Sequence, residues 1–242
     1  MTRLIFPLAL LLACLCNVAM AQSYSDAEPP HPFKDKPLAV RQIYADAAAQ
    51  FEKWGDAPVP QGDYDSRYYQ RTRLGTVSFA PGFRIHVDSI RDMVHFPSYY
   101  ELIDARTGAL LGKYGIFSPD EARWYFPGTG VAYLNQMNLN ICGPRYTRKI
   151  GRAGKGLAEV VQPLVYVGEE TEVVRPTPLF ETPTSKNLVA TVVPGSKVMV
   201  LGMQFGQLNR ADTVLLVKTP FGLTGWHRAF GPEGALRITQ CN

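Results

Sequence analysis

Residues 76–87 read Thr76-Val77-Ser78-Phe79-Ala80-Pro81-Gly82-Phe83-Arg84-Ile85-His86-Val87. Val77 and Phe79 alternate with smaller or polar neighbours, Pro81-Gly82 interrupts the run, and Phe83, Ile85 and Val87 resume it. A period of two on both sides of a Pro-Gly break predicts a hairpin with one apolar and one polar face. The same punctuation recurs downstream. Tyr100 and Leu102 lead through Asp104-Ala105-Arg106-Thr107-Gly108 to Leu110-Leu111. Short strand candidates follow at Arg123–Phe126, Val131–Leu134, Tyr146–Ile150 and Val160–Val167. Residues 76–168 therefore predict an antiparallel β-sheet structure, either a sandwich or a part-barrel.

Upstream the pattern changes. Val40, Ile43, Ala47, Phe51 and Trp54 recur at helical spacing after Pro37, and Gly55 ends the run. This predicts one N-terminal helix, so that residues 37–168 form a helix plus an antiparallel β domain. Residues 22–36, with Pro29-Pro30-His31-Pro32, read as a disordered lead-in. At the start of the chain, Arg3 precedes an uncharged run from Leu4 to Leu15, too short for a membrane-spanning helix. Ala19-Met20-Ala21 then has the form of a signal peptidase site, which predicts a signal peptide over residues 1–21 cleaved before Gln22. The expected location is periplasmic or secreted, with no stable membrane span. Leu11-Leu12-Ala13-Cys14 is similar to a lipoprotein processing box and makes a lipid anchor at Cys14 the second reading. Leu12 is bulky for that box, and the residues after Cys14 stay apolar.

The formal charge of +4 falls to +3 without Arg3 and is dispersed, which is not the footprint of a nucleic-acid partner. Cys14 and Cys16 belong to the signal, leaving Cys142 and Cys241. An even pair in an oxidising compartment predicts one disulfide. Closing a loop of about 100 residues, it would contribute roughly 4 to 5 kcal/mol in the chain-entropy treatment.

Residues 172–230 carry five more strand candidates: Glu172–Val174, Leu188–Val193, Lys197–Leu201, Val214–Lys218 and Thr224–His227. Pro194-Gly195-Ser196 and Pro220-Phe221-Gly222 punctuate them, and Gly195 suits the tight turn of a hairpin. The order of Leu179, Pro183, Val189, Val192, Gly195, Val198, Val200, Leu201, Leu216, Val217, Gly222, Gly225 and Trp226 resembles the bacterial SH3-like domain. The resemblance covers about a quarter of the chain and implies a small β-barrel over residues 172–242, tail included. It also implies a binding module directed at the cell envelope. Where members commonly carry an Asn-x-Arg-x-x-Pro stretch, this chain has Leu179-Phe180-Glu181-Thr182-Pro183. The fold class expected for the whole chain is mainly β: one helix, a sheet domain, then an SH3-like barrel.

Candidate ligand-binding side chains are Trp226 with Phe180 and Phe205, as an aromatic platform for a peptide or glycan. Tyr99 and Tyr100 join them, from Tyr-rich stretches that also include Tyr64, Tyr68 and Tyr69 beside Arg67, Arg71 and Arg73. That composition is typical of protein interfaces. Trp226 has an equally simple structural reading, as the plug at the open end of a barrel. Catalytic motifs are missing. Cys142 lacks the turn of a cysteine peptidase, and His31, His86, His95 and His227 do not stand at zinc-ligand spacing. His86 and Asp88 share one strand face, a two-residue hint of a metal that is more commonly a surface pair. Glu169, Glu170 and Glu172 cluster where solvated linker acids are the ordinary explanation. No cofactor is expected. The reading that follows is a non-catalytic binding protein of the cell envelope, taking peptidoglycan or an envelope protein as ligand. Its alternatives are a periplasmic inhibitor or immunity protein, and then a wall hydrolase with an unrecognised carboxylate pair.

Overall fold

The computed structural model describes residues 31–55, 57–94, 97–138, 143–205, 213–228 and 236, all within one compact unit. The chain is mainly β, as its period-two pattern requires. The hairpin of residues 76–87 lies in two long strands, β4 (Tyr69–Ala80) and β5 (Phe83–Asp92). Ala80 pairs directly with Phe83, and Gly82 takes the left-handed φ of +71° in the turn between them. With β3 (Glu52–Lys53), β6 (Ser98–Asp104) and β7 (Leu110–Ile116) they form a sheet of order β3-β4-β5-β6-β7.

A second, mixed sheet lies against it in the order β1-β2-β8-β9-β10-β11. Its strands are β1 (Leu38–Val40), β2 (Ile43–Ala45), β8 (Arg123–Phe126), β9 (Val131–Asn138), β10 (Gly143–Ala153) and β11 (Gly156–Glu159). The two sheets share one core. Val77, Phe79, Ile85, Val87, Tyr100, Leu102, Tyr114 and Ile116 from the first meet Ile43, Trp124, Phe126, Ala132, Leu134 and Ile150 from the second. Trp124 is wholly buried at the centre, edge-on to Tyr100 and Tyr114 and stacked on Phe126. At one corner the sheets nearly touch. A Cβ on Gly156 would stand 2.7 Å from the Leu111 carbonyl oxygen, and one on Gly112 2.8 Å from that of Leu157. Glycine at both positions is what lets β7 and β11 approach this closely.

The expected N-terminal helix is not formed. Residues 38–53 instead make β1, β2, a 3-10 turn at Ala47–Ala49, and β3, with Arg41 and Gln50 at positive φ between them. Ile43, Tyr44 and Ala45 are all buried in succession, and β2 runs parallel to β8 with Ile43 beside Trp124. Burial on both faces of a three-residue segment suits a strand between neighbours rather than a one-sided helix. Nor do residues 31–36 belong to a disordered lead-in. His31 and Phe33 are buried, and the His31 ring and Tyr44 hydroxyl share a hydrogen bond of 3.0 Å.

The third sheet has the order β12-β15-β16-β17-β13-β14. These are β12 (Val165–Glu172), β13 (Thr177–Phe180), β14 (Leu188–Val192), β15 (Lys197–Gln204), β16 (Val214–Lys218) and β17 (Thr224–Arg228). The expected boundary at residues 168–172 thus falls inside one strand of this sheet. Val173, Leu179, Val192, Val198, Val200, Leu215 and Val217 fill its own core. Gly195, at φ +82°, serves a corner rather than a hairpin, because β14 pairs with β13 whereas β15 pairs with β12 and β16. Ser196 N–H bonds the Val193 carbonyl across that corner, and Val173 exchanges backbone hydrogen bonds with Gly195 and Ser196. In a flat sheet β14 and β15 would stand about 19 Å apart, four steps of about 4.8 Å. A tight turn cannot span that, so the sheet curls strongly. Among the described residues no ladder closes it into a barrel.

Candidate functional site

Alternation along the curled third sheet sends Leu179, Leu215, Val217, Gly225 and His227 inward and their neighbours outward. The outward positions hold an unusual row. Leu216 pairs with Trp226, Trp226 with Phe180, and Phe180, across a shift in register, with Leu188, so these four residues are neighbours across β16, β17, β13 and β14. Directly opposed residues place their Cβ atoms about 5 Å apart on one face. Leu216, Trp226 and Phe180 are half-buried, and Leu188 is exposed. Gly225 makes the row compact, since a Cβ there would lie 2.7 Å from that of Leu179. At one end Leu164 packs over Gly202, the Cα partner of Leu216. The Arg228 guanidinium lies 5.6 Å from the centre of the Phe180 ring. Trp226 is therefore not a plug in the core. It stands in the middle of an apolar strip with a cation beside it.

The other residues expected at the site are elsewhere. Phe205 is exposed and packs edge-on against Tyr146 of β10, at 5.3 Å between ring centroids. Tyr99 lies on the outer face of β6, with Lys113 Nζ 4.1 Å from its ring centroid. Tyr100, one residue on, faces the opposite way: it is fully buried against Trp124 and donates its hydroxyl to the Pro119 carbonyl. Burial raises its phenol above the ordinary tyrosine range. A side chain so placed holds the core and touches no ligand, so Tyr100 is withdrawn from the site. Cys142 and Cys241 lie outside the described residues, as do His95 and residues 1–30.

The outer face of the first sheet carries a denser cluster, which joins Tyr64, Arg71, Arg73 and Asp88, named separately from the sequence, with Glu101 and Lys113. Arg73, Asp88, Glu101 and Lys113 are successive partners across β4, β5, β6 and β7. Asp88 has no exposed side-chain surface and accepts hydrogen bonds from Arg71 Nε (2.8 Å), Arg73 Nε (2.7 Å) and Arg73 Nη2 (3.1 Å). Arg71 Nη2 also reaches Glu101 at 3.2 Å, and the Tyr64 hydroxyl donates to the other Glu101 oxygen. Burial and this bond push the Tyr64 phenol up. Trp54 lies 4.9 Å from the Arg73 guanidinium and edge-on to His86. The segment around Trp54 and Tyr64 thus caps an otherwise solvated face.

Here is a carboxylate pair, Asp88 and Glu101, on neighbouring strands. Each is bound by arginine, so its oxygens are already engaged within the sheet face. His86 does not join Asp88 at a metal: its Nδ1 is 2.8 Å from Thr76 Oγ1, and Asp88 is held by the two arginines. Burial, then the charge of Arg73, lowers the His86 pKa. Among the described residues no three His, Cys, Asp or Glu side chains converge as metal ligands. Nor is any helix there long and apolar enough to cross a membrane. Of the clustered acids on β12, Glu170 faces Lys197 at 3.5 Å. The chain matches no family model, no curated protein and no solved structure.

Proposed function

We propose that this protein is an exported, non-catalytic binding protein of the bacterial cell envelope. Its third sheet acts as an SH3-like module that presents the Leu216–Trp226–Phe180–Leu188 row to peptidoglycan. The single observation that carries this reading is that row. Outward positions of a sheet are ordinarily polar, and a contiguous apolar strip with two aromatic rings is the kind of surface that meets a partner. A tryptophan flanked by Phe180 and Arg228 suits the apolar faces of sugar rings or a short peptide, with the guanidinium available to a carboxylate. The SH3-like assignment draws on the motif residues Gly195, Val198, Val200, Gly225 and Trp226, and on a curled sheet with its own core. The inhibitor alternative drew on tyrosines and arginines, and Tyr64, Arg71 and Arg73 are engaged inside the first sheet's network.

Sedimentation of the purified protein with insoluble peptidoglycan tests the proposal. Removing a central interface tryptophan typically costs 2 kcal/mol or more, so Trp226→Ala should weaken retention at least about 30-fold while leaving the circular dichroism spectrum unchanged. Equal retention of wild type and variant would refute the role of the row. Absence of peptidoglycan binding together with one stoichiometric envelope protein would make that protein the ligand, and release of soluble wall fragments would restore the hydrolase reading.

A further inference from the structure

At one end of the two-sheet sandwich three turns converge on a cleft of about 760 Å³. They are the β4–β5 turn at Pro81-Gly82, the β6–β7 turn at residues 104–108, and the β10–β11 turn at residues 153–156. Phe83 and Leu111, both packed on the first core, give the cleft apolar lining. Arg84, Arg106, Arg152 and Lys155 line it too, all exposed, against one acid, Asp104.

That acid offsets only one of the four positive charges. Asp104 Oδ1 accepts the backbone N–H groups of Arg106 and Thr107, each at 2.8 Å, and these bonds lower its pKa and tie it to its own turn. Arg84 has a partner, Glu52, in an exposed ion pair. Among the described residues Arg106, Arg152 and Lys155 form no ion pair. Arg152 instead makes a cation–π contact, its guanidinium 4.3 Å from the centre of the Phe83 ring. Beneath them, Gly82, Gly108 and Gly154 take left-handed φ in the three turns, and the close approach of Gly156 to Leu111 sets β11 against β7. Three unpaired cations held around an apolar lining are arranged for a guest that brings both negative charge and carbon surface.

We infer that this cleft is an anion-binding site for a ligand carrying two or more carboxylate or phosphate groups on a carbon skeleton. Arg106, Arg152 and Lys155 contact the anionic groups, and Phe83 and Leu111 contact the skeleton. The site is separate from the Trp226 row and built from different sheets, so it stands or falls independently of it.

Isothermal titration calorimetry of the whole mature protein provides the test, with citrate as the multivalent carboxylate, fructose 1,6-bisphosphate as the multivalent phosphate, and acetate and inorganic phosphate as controls. Saturable binding is expected for at least one multivalent probe, and whichever binds identifies the anionic group. Affinity should fall steeply between about 50 and 500 mM salt. The Arg106→Gln, Arg152→Gln, Lys155→Gln triple variant changes only exposed side chains and should weaken binding at least about tenfold. Arg67→Gln, far in sequence from the cleft, and Trp226→Ala should leave it unchanged. The inference is overturned if no multivalent probe saturates, if acetate and phosphate bind as well, or if a folded triple variant binds like wild type.

Discussion

Replacing Asp88 by Asn tests whether the charged network on the first sheet acts as a buried structure or as a solvated surface. Asp88 receives three hydrogen bonds from two arginines whose side chains are only 11% and 14% exposed. An Asn amide fits the same space but offers one oxygen and turns N–H donors toward the other guanidinium. Removing one partner of a buried ion pair costs about 3 to 5 kcal/mol, largely because a charge is left unmatched. Two features place the expected loss near the lower end. Arg71 keeps Glu101, and Arg73 keeps the face of Trp54. A loss of about 3 kcal/mol is a large part of the roughly 5 to 15 kcal/mol that holds a domain of this kind. With a urea m-value of about 2 kcal/mol/M the unfolding midpoint should fall by about 1.5 M. Equilibrium unfolding followed by far-UV circular dichroism measures it. A drop below about 1 kcal/mol would mean that water already screens the cluster, as at an exposed pair, and the burial argument would be refuted. In a cycle, Arg73→Met should recover part of the Asp88→Asn loss by removing the stranded cation.

Two further outcomes are expected. Tyr114 is buried, donates its hydroxyl to the Leu157 carbonyl, and has its pKa raised by that burial to about 12. The folded state thus favours the neutral phenol, and its contribution is complete below the unfolded value near 10 and lost as pH rises toward 12. The loss is at most about 3 kcal/mol at about 1.4 per tenfold change in proton affinity. Tyr114→Phe should be less stable than wild type at pH 8 yet lose less between pH 10 and 12 by urea midpoint, and parallel losses would contradict the assignment. For Cys142 and Cys241, thiol labelling of the oxidised, denatured mature protein should detect no free thiol, and two reactive thiols would dismiss the disulfide.

The sequence made the strands readable and the helix misleading, for one physical reason. Period-two alternation between Thr76 and Val87 survives in the structure because one face of β4 and β5 packs on a core. The spacing of Val40, Ile43, Ala47, Phe51 and Trp54 mimics a helix, but those side chains sit on separate short segments redirected at Arg41 and Gln50. Ala47–Ala49 keep the local preference for helix and hold it for a single turn. What decides this segment is β8, some 80 residues away, whose edge accepts β2. The same non-local choice defeats the hairpin reading of Gly195. Local turn chemistry set the turn, but β13 and β16 took the two strands on either side of it.

The site was legible as residue types and illegible as faces. Tyr99 and Tyr100 look equivalent in a Tyr-rich stretch, yet a strand sends neighbours to opposite sides, and Tyr100 shares the core face with Leu102 while Tyr99 meets Lys113 outside. Leu102, in phase with Tyr100, already hinted which of the two was inward. Phe180 and Trp226 were chosen for their aromatic rings, and their direct opposition is a property of register that composition does not contain. Arg71 and Arg73 alternate as any solvated strand face would, and it takes Trp54 beside Arg73 and Tyr64 on Glu101 to cover the network. The basic cleft was hidden most thoroughly, because its three turns lie up to about 70 residues apart and each alone is an ordinary hairpin end. Charge that looks dispersed along the chain is gathered by the closing of the sandwich. A formal net charge of +4 therefore says little about whether this protein holds an anion, whereas the arrangement of Arg106, Arg152 and Lys155 around Phe83 says a good deal.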